Sequence, residues 1–230
     1  MLTKEIAKTL LENLDRDSAE HSIRSAIYLE ILVEEMMNHA QYKELAIRLK
    51  HEKFSSHAVL HDIGKSEENI KKLVNKPGRL TDKERNIVNA HVDIGREILK
   101  EQNLNLAATI AESHHEKWDG SGYPSGLKGE KIPITARLMS IADVYDALAS
   151  ERVYKKAFSH EDTCDRMEKD LISHFDPNLF NVFKLTKSTF REQNEKFKLQ
   201  KERGEDILYK YLGGNLHGKH DSGLESAEKI

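Results

Sequence analysis

His61-Asp62-Ile63-Gly64-Lys65 places a histidine directly before an aspartate, and the rest of the chain is best interpreted outward from this stretch. Imidazole nitrogen and carboxylate oxygen are ligands that borderline metals prefer in proteins. Because neighbouring residues on a helix diverge by about 100°, both side chains reach one metal cluster only from a helix end or by bridging two ions. Gly64 is typical of a helix stop, so we predict a third helix that ends at this His-Asp pair.

Other residues with metal-ligand chemistry lie on both sides of this stretch. The candidate ligands, in chain order, are His21, His61, Asp62, His91, His114, His115 and Asp143. They are too many for one ion, since a catalytic zinc takes about three protein ligands. Two adjacent ions that share these ligands fit better, and a metal pair suits hydrolysis of a phosphate ester. Taken alone, His91 on an apolar face would be a packing histidine.

The hydrophobic pattern is helical nearly throughout, and alternation of period two is scarce. Apolar residues recur every fourth position from Ile6 to Leu14 and from Ile23 to Ile31, which predicts the first two helices. Thr81-Asp82-Lys83-Glu84 is a capping box that opens a fourth helix. On that helix, Ile87 and His91 should share one face.

Composition and charge exclude several classes of function. A net charge of −3 gives no basic field for a nucleic-acid polymer. Cys164 is the only cysteine, which rules out an internal disulfide and a thiolate metal cluster. No stretch approaches the roughly 18 apolar residues of a membrane span, and the start carries no signal-peptide pattern. We therefore expect a cytoplasmic protein without a membrane span.

These blocks together resemble an HD-GYP domain, a branch of the HD phosphohydrolase superfamily. The resemblance covers about residues 15–183, and each ordered block is an independent chance for it to fail. The matching blocks are His61–Lys65, Asn75–Thr81, His91 with Gly95, the run from His114 to Pro124, Ile132-Pro133 with Ala136-Arg137, Ile141–Leu148, and Arg152 with Tyr154-Lys155.

The resemblance implies an all-α, compact helical bundle that hydrolyses cyclic di-GMP to linear pGpG and onward to GMP. It implies two divalent ions, iron or manganese, held by the seven candidate ligands. Some family members hold a third ion with a glutamate where this chain has Asp17, one methylene shorter. Asp17 either reaches such an ion or caps its helix.

The resemblance also implies roles for individual residues. Asp62 and Lys65 are the expected catalytic residues, with Asp62 bridging the two ions. The expected substrate-binding residues are Tyr123, Arg137, Asp146, Arg152 and Lys155. Tyr123 either stacks on a guanine base or holds its loop on the core, and the loop Gly122-Tyr123-Pro124 is also a candidate surface for protein partners.

The domain organisation follows the same comparison. We predict an N-terminal helix over 1–14, an HD-GYP catalytic domain over 15–190, and a polar helix with a mobile Gly-rich tail over 191–230. One departure lies directly after Lys65, where the chain reads Ser66-Glu67-Glu68-Asn69-Ile70 and lacks the proline that the family commonly has. This departure leaves open a catalytically weak cyclic di-GMP receptor or an HD phosphohydrolase of another nucleotide.

Overall fold

The structure is a computed structural model that describes residues 4–151 and 156–211. Those residues form α-helices and short 3₁₀ helices with no strand, which confirms the all-α prediction. The 3₁₀ helices are Ile63–Ser66, Gly129–Lys131 and Ile172–His174. The α-helices are α1 Lys4–Glu12, α2 Arg16–Met36, α3 Ala40–His51, α4 Phe54–Ala58, α5 Glu68–Val74, α6 Asp82–Asn89, α7 His91–Glu101, α8 Asn105–Ser113, α9 Ile134–Ala149, α10 His160–Lys169, α11 Pro177–Glu202 and α12 Ile207–Tyr211.

Helix α2 is central to the bundle and packs against α9 and α11. Its N-cap is Asp15, whose side-chain oxygen accepts a hydrogen bond of 3.0 Å from the Ser18 backbone N–H. Its apolar face buries Ile23 completely, together with Leu29 and Leu32. The prediction of a helix through Ile23 is therefore confirmed, and this helix carries His21 into the interior.

Aromatic rings join α2, α9 and α11 into one core. The ring of Tyr28 stacks on Phe190 with centroids 4.7 Å apart and meets the edge of Tyr145 at 4.8 Å. Phe197, about two turns further along α11, packs edge-on against Tyr28 with ring centroids 5.7 Å apart. Helix α11 thus runs unbroken through position 190, with buried aromatic residues on both sides of it.

Two predictions of helix boundaries are wrong. The helix before the His-Asp pair, α4, ends at Ala58, and Gly64 lies inside a 3₁₀ helix instead of stopping an α-helix. The glycine serves close packing: a Cβ on Gly64 would lie 2.0 Å from the backbone oxygen of His91. The chain therefore needs glycine here because the 3₁₀ helix rests directly on α7.

The second error concerns α6 and α7. The capping box is confirmed, with the Thr81 N–H donating to Glu84 Oε2 at 2.8 Å. However, α6 ends at Asn89 and α7 begins at His91, so Ile87 and His91 do not share one helix face. Ile87 is exposed whereas His91 is buried, because α6 buries no residue and α7 packs against α8.

Within residues 4–151 and 156–211, none of the helices combines the length and apolar character that crossing a bilayer demands. The tail that we predict to be mobile, residues 213–230, lies outside the described residues, as do Arg152 and Lys155.

Candidate metal centre

The structure brings all of the predicted metal ligands together in the interior. They come from five separate places: α2, the turn after α4, the first residue of α7, the end of α8 and the middle of α9. Their ligand atoms form two groups, and the atoms of each group lie within 4.8 Å of one another. One group contains Asp62, His91, His114 and His115, and the other contains His21, His61 and Asp143.

The two aspartates lie between these groups. Asp62 Oδ1 is 3.3 Å from His91 Nε2, whereas Asp62 Oδ2 is 3.4 Å from His61 Nε2. Asp143 Oδ1 is 2.8 Å from His21 Nε2, whereas Asp143 Oδ2 faces His115 Nδ1 at 4.0 Å. Each carboxylate therefore presents one oxygen to each group, which is the arrangement required of a ligand that bridges two ions.

Three of the ligand histidines are oriented by backbone carbonyls. His61 Nδ1 donates to the Ala58 oxygen at 3.0 Å, and His91 Nδ1 donates to the Val88 oxygen at 2.7 Å. His114 Nδ1 donates to the Ala111 oxygen at 2.9 Å. Donation from Nδ1 fixes the tautomer in which Nε2 carries the lone pair, so Nε2 of each ring is ready to bind a metal.

His21 is oriented by a carboxylate instead. Its Nδ1 lies 2.7 Å from Asp146 Oδ2, and Asp146 also accepts from Arg24 Nε at 2.8 Å and Arg24 Nη2 at 3.1 Å. Ser150 Oγ donates to Asp146 Oδ1 at 3.0 Å, the oxygen that also accepts from Arg24 Nε. Burial opposes ionisation of Asp146, but Arg24 and His21 outweigh it and hold its pKa well below its usual range.

The position of Asp146 corrects its predicted role. We expected Asp146 to contact substrate, but its side chain is fully buried and both of its oxygens are occupied by protein donors. Its chemistry is that of the outer carboxylate that commonly supports a metal-binding histidine. Arg24, which sequence reasoning missed, anchors that carboxylate.

Lys65 touches Asp62 directly. Its ammonium donates to Asp62 Oδ2 at 2.5 Å, and both side chains are largely buried. Burial alone would raise the pKa of Asp62, yet the charge of Lys65 holds that pKa well below its ordinary value. Asp62 is therefore a stable anion at neutral pH, as a bridging ligand must be.

Burial keeps three of the ligand histidines neutral. It lowers the pKa of His61 and of His91, and it lowers the pKa of His115 well below its usual value. Neutral imidazole is the form that binds a metal.

The donor set fits divalent metal ions. Among the described residues, His61 Nε2 and Asp62 Oδ1 are buried polar atoms that have no hydrogen-bond partner in the protein. Such atoms are costly unless something binds them, and both point into the ligand groups. Nitrogen and carboxylate oxygen suit zinc, iron or manganese, and no thiolate is present because Cys164 is buried elsewhere against His160.

The loop after the His114-His115 pair is fixed against the ligands. Glu116 is buried, and its two oxygens accept from the backbone N–H groups of Ser125 at 2.8 Å and Leu127 at 2.9 Å. The Tyr123 ring stacks on the His115 ring with centroids 4.9 Å apart. This contact corresponds to one of the two roles left open for Tyr123, that of holding its loop on the core. Stacking on a guanine base stays a prediction.

Gly122 makes that loop geometry possible. A Cβ at this position would lie 2.4 Å from the Lys117 nitrogen and 2.6 Å from the His115 oxygen. Only glycine allows the backbone to pass this close. Sequence reasoning missed Glu116, although its place directly after two ligand histidines marked the turn at which the loop begins.

Two further residues singled out in the sequence, Arg137 and Asp17, belong to neither ligand group. Arg137 pairs with Asp176 at 2.5 Å and lies 5.7 Å from the centre of the Trp118 ring, so it ties α9 to the start of α11. That partner gives Arg137 a structural contact, and its contact with substrate stays a prediction. Asp17 is exposed, belongs to neither ligand group, and does not cap α2, since Asp15 does. Arg152 and Lys155 lie outside the described residues.

A groove with a volume of about 1140 Å³ opens beside the ligand cluster. Of the seven ligands, His21 lines it, together with Lys65. Its other walls are the start of α2, the segment 73–88, the end of α9 with Lys156 and Ala157, the part of α11 from Asn194 to Lys201, and residues 204–207. Residues beyond position 190 therefore share one groove with His21.

Comparison with known proteins agrees with this geometry. A cyclic di-GMP phosphodiesterase of Vibrio cholerae is 40% identical over 189 residues, covering 79% of this chain and 38% of that protein. A 3'3'-cGAMP-specific phosphodiesterase of the same organism is 37% identical over 189 residues, covering 78% of this chain and 34% of that protein. This chain thus spans well under half the length of either relative.

A solved structure, an HDG"Y"P protein from Bdellovibrio bacteriovorus, superposes with a TM-score of 0.55 at 15% identity, covering 85% of this chain and 62% of that one. It shows the same fold. The family described as HD domain matches residues 9–179, which include every ligand of both groups. The resemblance found in the sequence is therefore confirmed: this chain belongs to the HD domain family.

Proposed function

We propose that this chain is a metal-dependent phosphodiesterase that hydrolyses cyclic di-GMP to linear pGpG, with GMP as a further product. The observation that carries the proposal is the pair of ligand groups joined by Asp62 and Asp143, beside a wide groove that His21 lines. The names of the similar Vibrio cholerae proteins support the choice of a cyclic dinucleotide as substrate.

The two groups would each hold one divalent ion, and the metal that we propose is iron or manganese. Ions bound there would supply a water with a pKa near 7 and would neutralise phosphate charge. The chain prepares this site by keeping Asp62 ionised through Lys65 and by keeping the rings of His61 and His91 neutral.

Lys65 has a second role in this proposal. Its ammonium lines the groove beside the ligands while it holds Asp62 Oδ2. An ammonium has three donors, so two remain for a phosphate oxygen when one is given to Asp62. Lys65 would thereby stabilise charge that develops on the phosphate during cleavage.

The groove has the capacity that a cyclic dinucleotide needs. Its volume of about 1140 Å³ is slightly above the range of ordinary ligand pockets, which run from roughly 300 to 1,000 Å³. The proposed phosphate contacts of Arg152 and Lys155 remain part of this proposal, since they follow α9 directly in the chain.

A catalytically weak receptor is the second candidate, and the departure after Lys65 is the observation that favours it. In the structure this segment forms a capped helix: the Glu67 side chain accepts from the backbone N–H groups of Asn69 and Ile70, at 2.9 and 3.0 Å. The contact between Lys65 and Asp62 coexists with that helix, which supports the enzyme over the receptor.

The test is chromatographic detection of pGpG after incubation of cyclic di-GMP with protein reconstituted with iron or with manganese. Asp62→Ala should lower turnover at least about 100-fold, because it removes a bridging ligand. Asp17→Ala is the matched control, since Asp17 lines the same groove but belongs to neither ligand group. Binding of cyclic di-GMP without any product would favour the receptor and refute the enzyme.

A further inference from the structure

One wall of the groove, residues 73–88, carries positive charge that the proposed chemistry does not yet use. Of the two carboxylates in this segment, Asp82 and Glu84, the second is fully engaged. Its Oε1 accepts from Lys76 Nζ at 2.6 Å, and its Oε2 accepts from the Thr81 N–H at 2.8 Å and the Thr81 hydroxyl at 2.9 Å. The bond from Lys76, with those from Thr81, lowers the pKa of Glu84 to about 2.

Two arginines of the same wall pair neither with Glu84, which is saturated, nor with Asp82. Arg79 and Arg85 both line the groove, both are exposed, and neither has an ion-pair partner among the described residues. Lys156 also lines the groove without an ion-pair partner among the described residues, whereas five other cations of the groove do have such partners. Arg16 holds Glu20, Arg24 holds Asp146, Lys65 holds Asp62, Lys198 holds Glu195 and Lys201 holds Glu151.

The free arginines are close to the ligands in the fold. Arg85 lies one helical turn before Val88, so their Cβ atoms are roughly 5–6 Å apart on one face of α6. Val88 also lines the groove, and its backbone oxygen is the acceptor that orients ligand His91. The charge of Arg85 reaches Tyr123, where it opposes the rise in pKa that burial causes.

We propose that Arg85, assisted by Arg79, binds the second phosphodiester of a cyclic dinucleotide while the first lies at the ligand cluster. This inference rests on the proposed function. A cyclic dinucleotide carries two phosphodiesters on one ring, and only one can occupy the ligand groups at a time. The other needs a cation that is free to bind it.

Arginine is well suited to that role. A guanidinium grips two phosphate oxygens at once, which lysine cannot do. Lys76 neutralises Glu84 and so leaves these arginines unpaired. Their guanidinium groups are therefore available to bind an anion from solution. A charge-assisted hydrogen bond of this kind is typically equivalent to roughly 10- to 100-fold in affinity.

The test is calorimetric binding of a slowly hydrolysed analogue, cyclic di-GMP with phosphorothioates at both phosphates, to the metal-loaded protein. Arg85→Ala should weaken binding at least about tenfold, and Arg79→Ala should weaken it less. Arg85→Lys, which keeps the charge and loses the two-point grip, should fall between Arg85→Ala and the wild type. Lys83→Ala is the matched control, because it removes the same charge from an exposed position of α6 that does not line the groove.

A second measurement separates this inference from the proposed function. Hydrolysis of bis(p-nitrophenyl) phosphate, a diester with one phosphate, needs the ligand cluster but no second phosphate site. Arg85→Ala should raise KM for cyclic di-GMP and leave the rate with the single diester within about twofold of the wild type, the limit that we set for no effect when a rim charge is removed.

Each outcome decides a claim. Equal affinity of wild type and Arg85→Ala overturns the arginine site and leaves the phosphodiesterase standing. An equal loss in Lys83→Ala also overturns it, because general charge would then be the cause. Binding that depends on Arg85 without any turnover supports the arginine site and overturns the proposed enzyme. A wild type that does not bind the analogue overturns both.

Discussion

Asp146 should control the metal affinity of the cluster without touching metal or substrate. Asp146→Asn preserves the shape of the side chain but removes its charge and replaces one acceptor oxygen with an NH₂ group. The carboxylate serves His21 Nδ1, the Arg24 guanidinium and Ser150 Oγ at once, so an amide cannot satisfy all of these donors. His21 would lose the contact that fixes its tautomer, and Arg24 would be left largely buried without a counter-charge.

The size of the effect follows from those contacts. Breaking a buried ion pair costs about 3–5 kcal/mol, and the retained amide oxygen keeps the cost near about 3 kcal/mol. For a chain of this length that corresponds to a fall in Tm of roughly 6–12 °C. Loss of an outer carboxylate that supports a ligand histidine typically lowers metal affinity about 10- to 100-fold.

Competition against a chromophoric chelator measures the metal affinity, and thermal unfolding followed by circular dichroism measures Tm. Glu112→Gln is the matched control, since it breaks an Arg96–Glu112 pair of 3.0 Å that is partly exposed and away from the ligands. That change should move neither quantity appreciably. Wild-type metal affinity in Asp146→Asn, even with a lower Tm, would refute the positioning role and leave a purely structural one.

Three further outcomes are expected. Gly64→Ala should destabilise the fold by about 3 kcal/mol in denaturant titration, since its Cβ would overlap the His91 backbone oxygen. The control Gly78→Ala, whose Cβ meets nothing, should destabilise it by only about 1 kcal/mol, because of the positive φ at that position. Equal losses of stability would contradict the packing argument. Glu116→Gln should lower Tm by roughly 4–12 °C, because one buried backbone N–H of the loop would face an NH₂ group. An unchanged Tm would show that the loop does not depend on this carboxylate. Burial lowers the pKa of His160, so the unfolded chain takes up a proton first as pH falls below about 6.5. Stability should therefore be greatest above that pH and decline towards pH 5.5. His160→Gln should reduce the decline measured by denaturant titration in metal-free protein, and the rest of the decline comes from His61, His91 and His115, whose pKa values burial also lowers.

The ligand set could be predicted because its members are chemically distinctive residues in a spaced order. His61-Asp62 and His114-His115 are adjacent in the chain, and Asp143 lies in a recognisable block. The pattern also predicted an all-helical chain. What it could not supply was the register between helices, which is why His91 was placed on a helix face with Ile87 although a break at Ala90 separates α6 from α7.

The supporting residues could not be predicted for a different reason. Arg24 and Asp146 are 122 residues apart, and an exposed arginine and a buried one look alike in a sequence with 33% charged residues. The role of Glu116 depends on backbone N–H groups, which every loop residue except proline carries. Asp146 was therefore assigned to substrate because its block was recognised while its partner was not.

The backbone acceptors of His61, His91 and His114 have a consequence for how this site tolerates mutation over time. A carbonyl oxygen cannot be removed by replacing a side chain, so drift at Ala58, Val88 or Ala111 leaves the orientation of these three rings intact. His21 has no such protection, because its orientation depends on the side chain of Asp146. Among related chains, substitutions that retune the metal should therefore accumulate around His21 first.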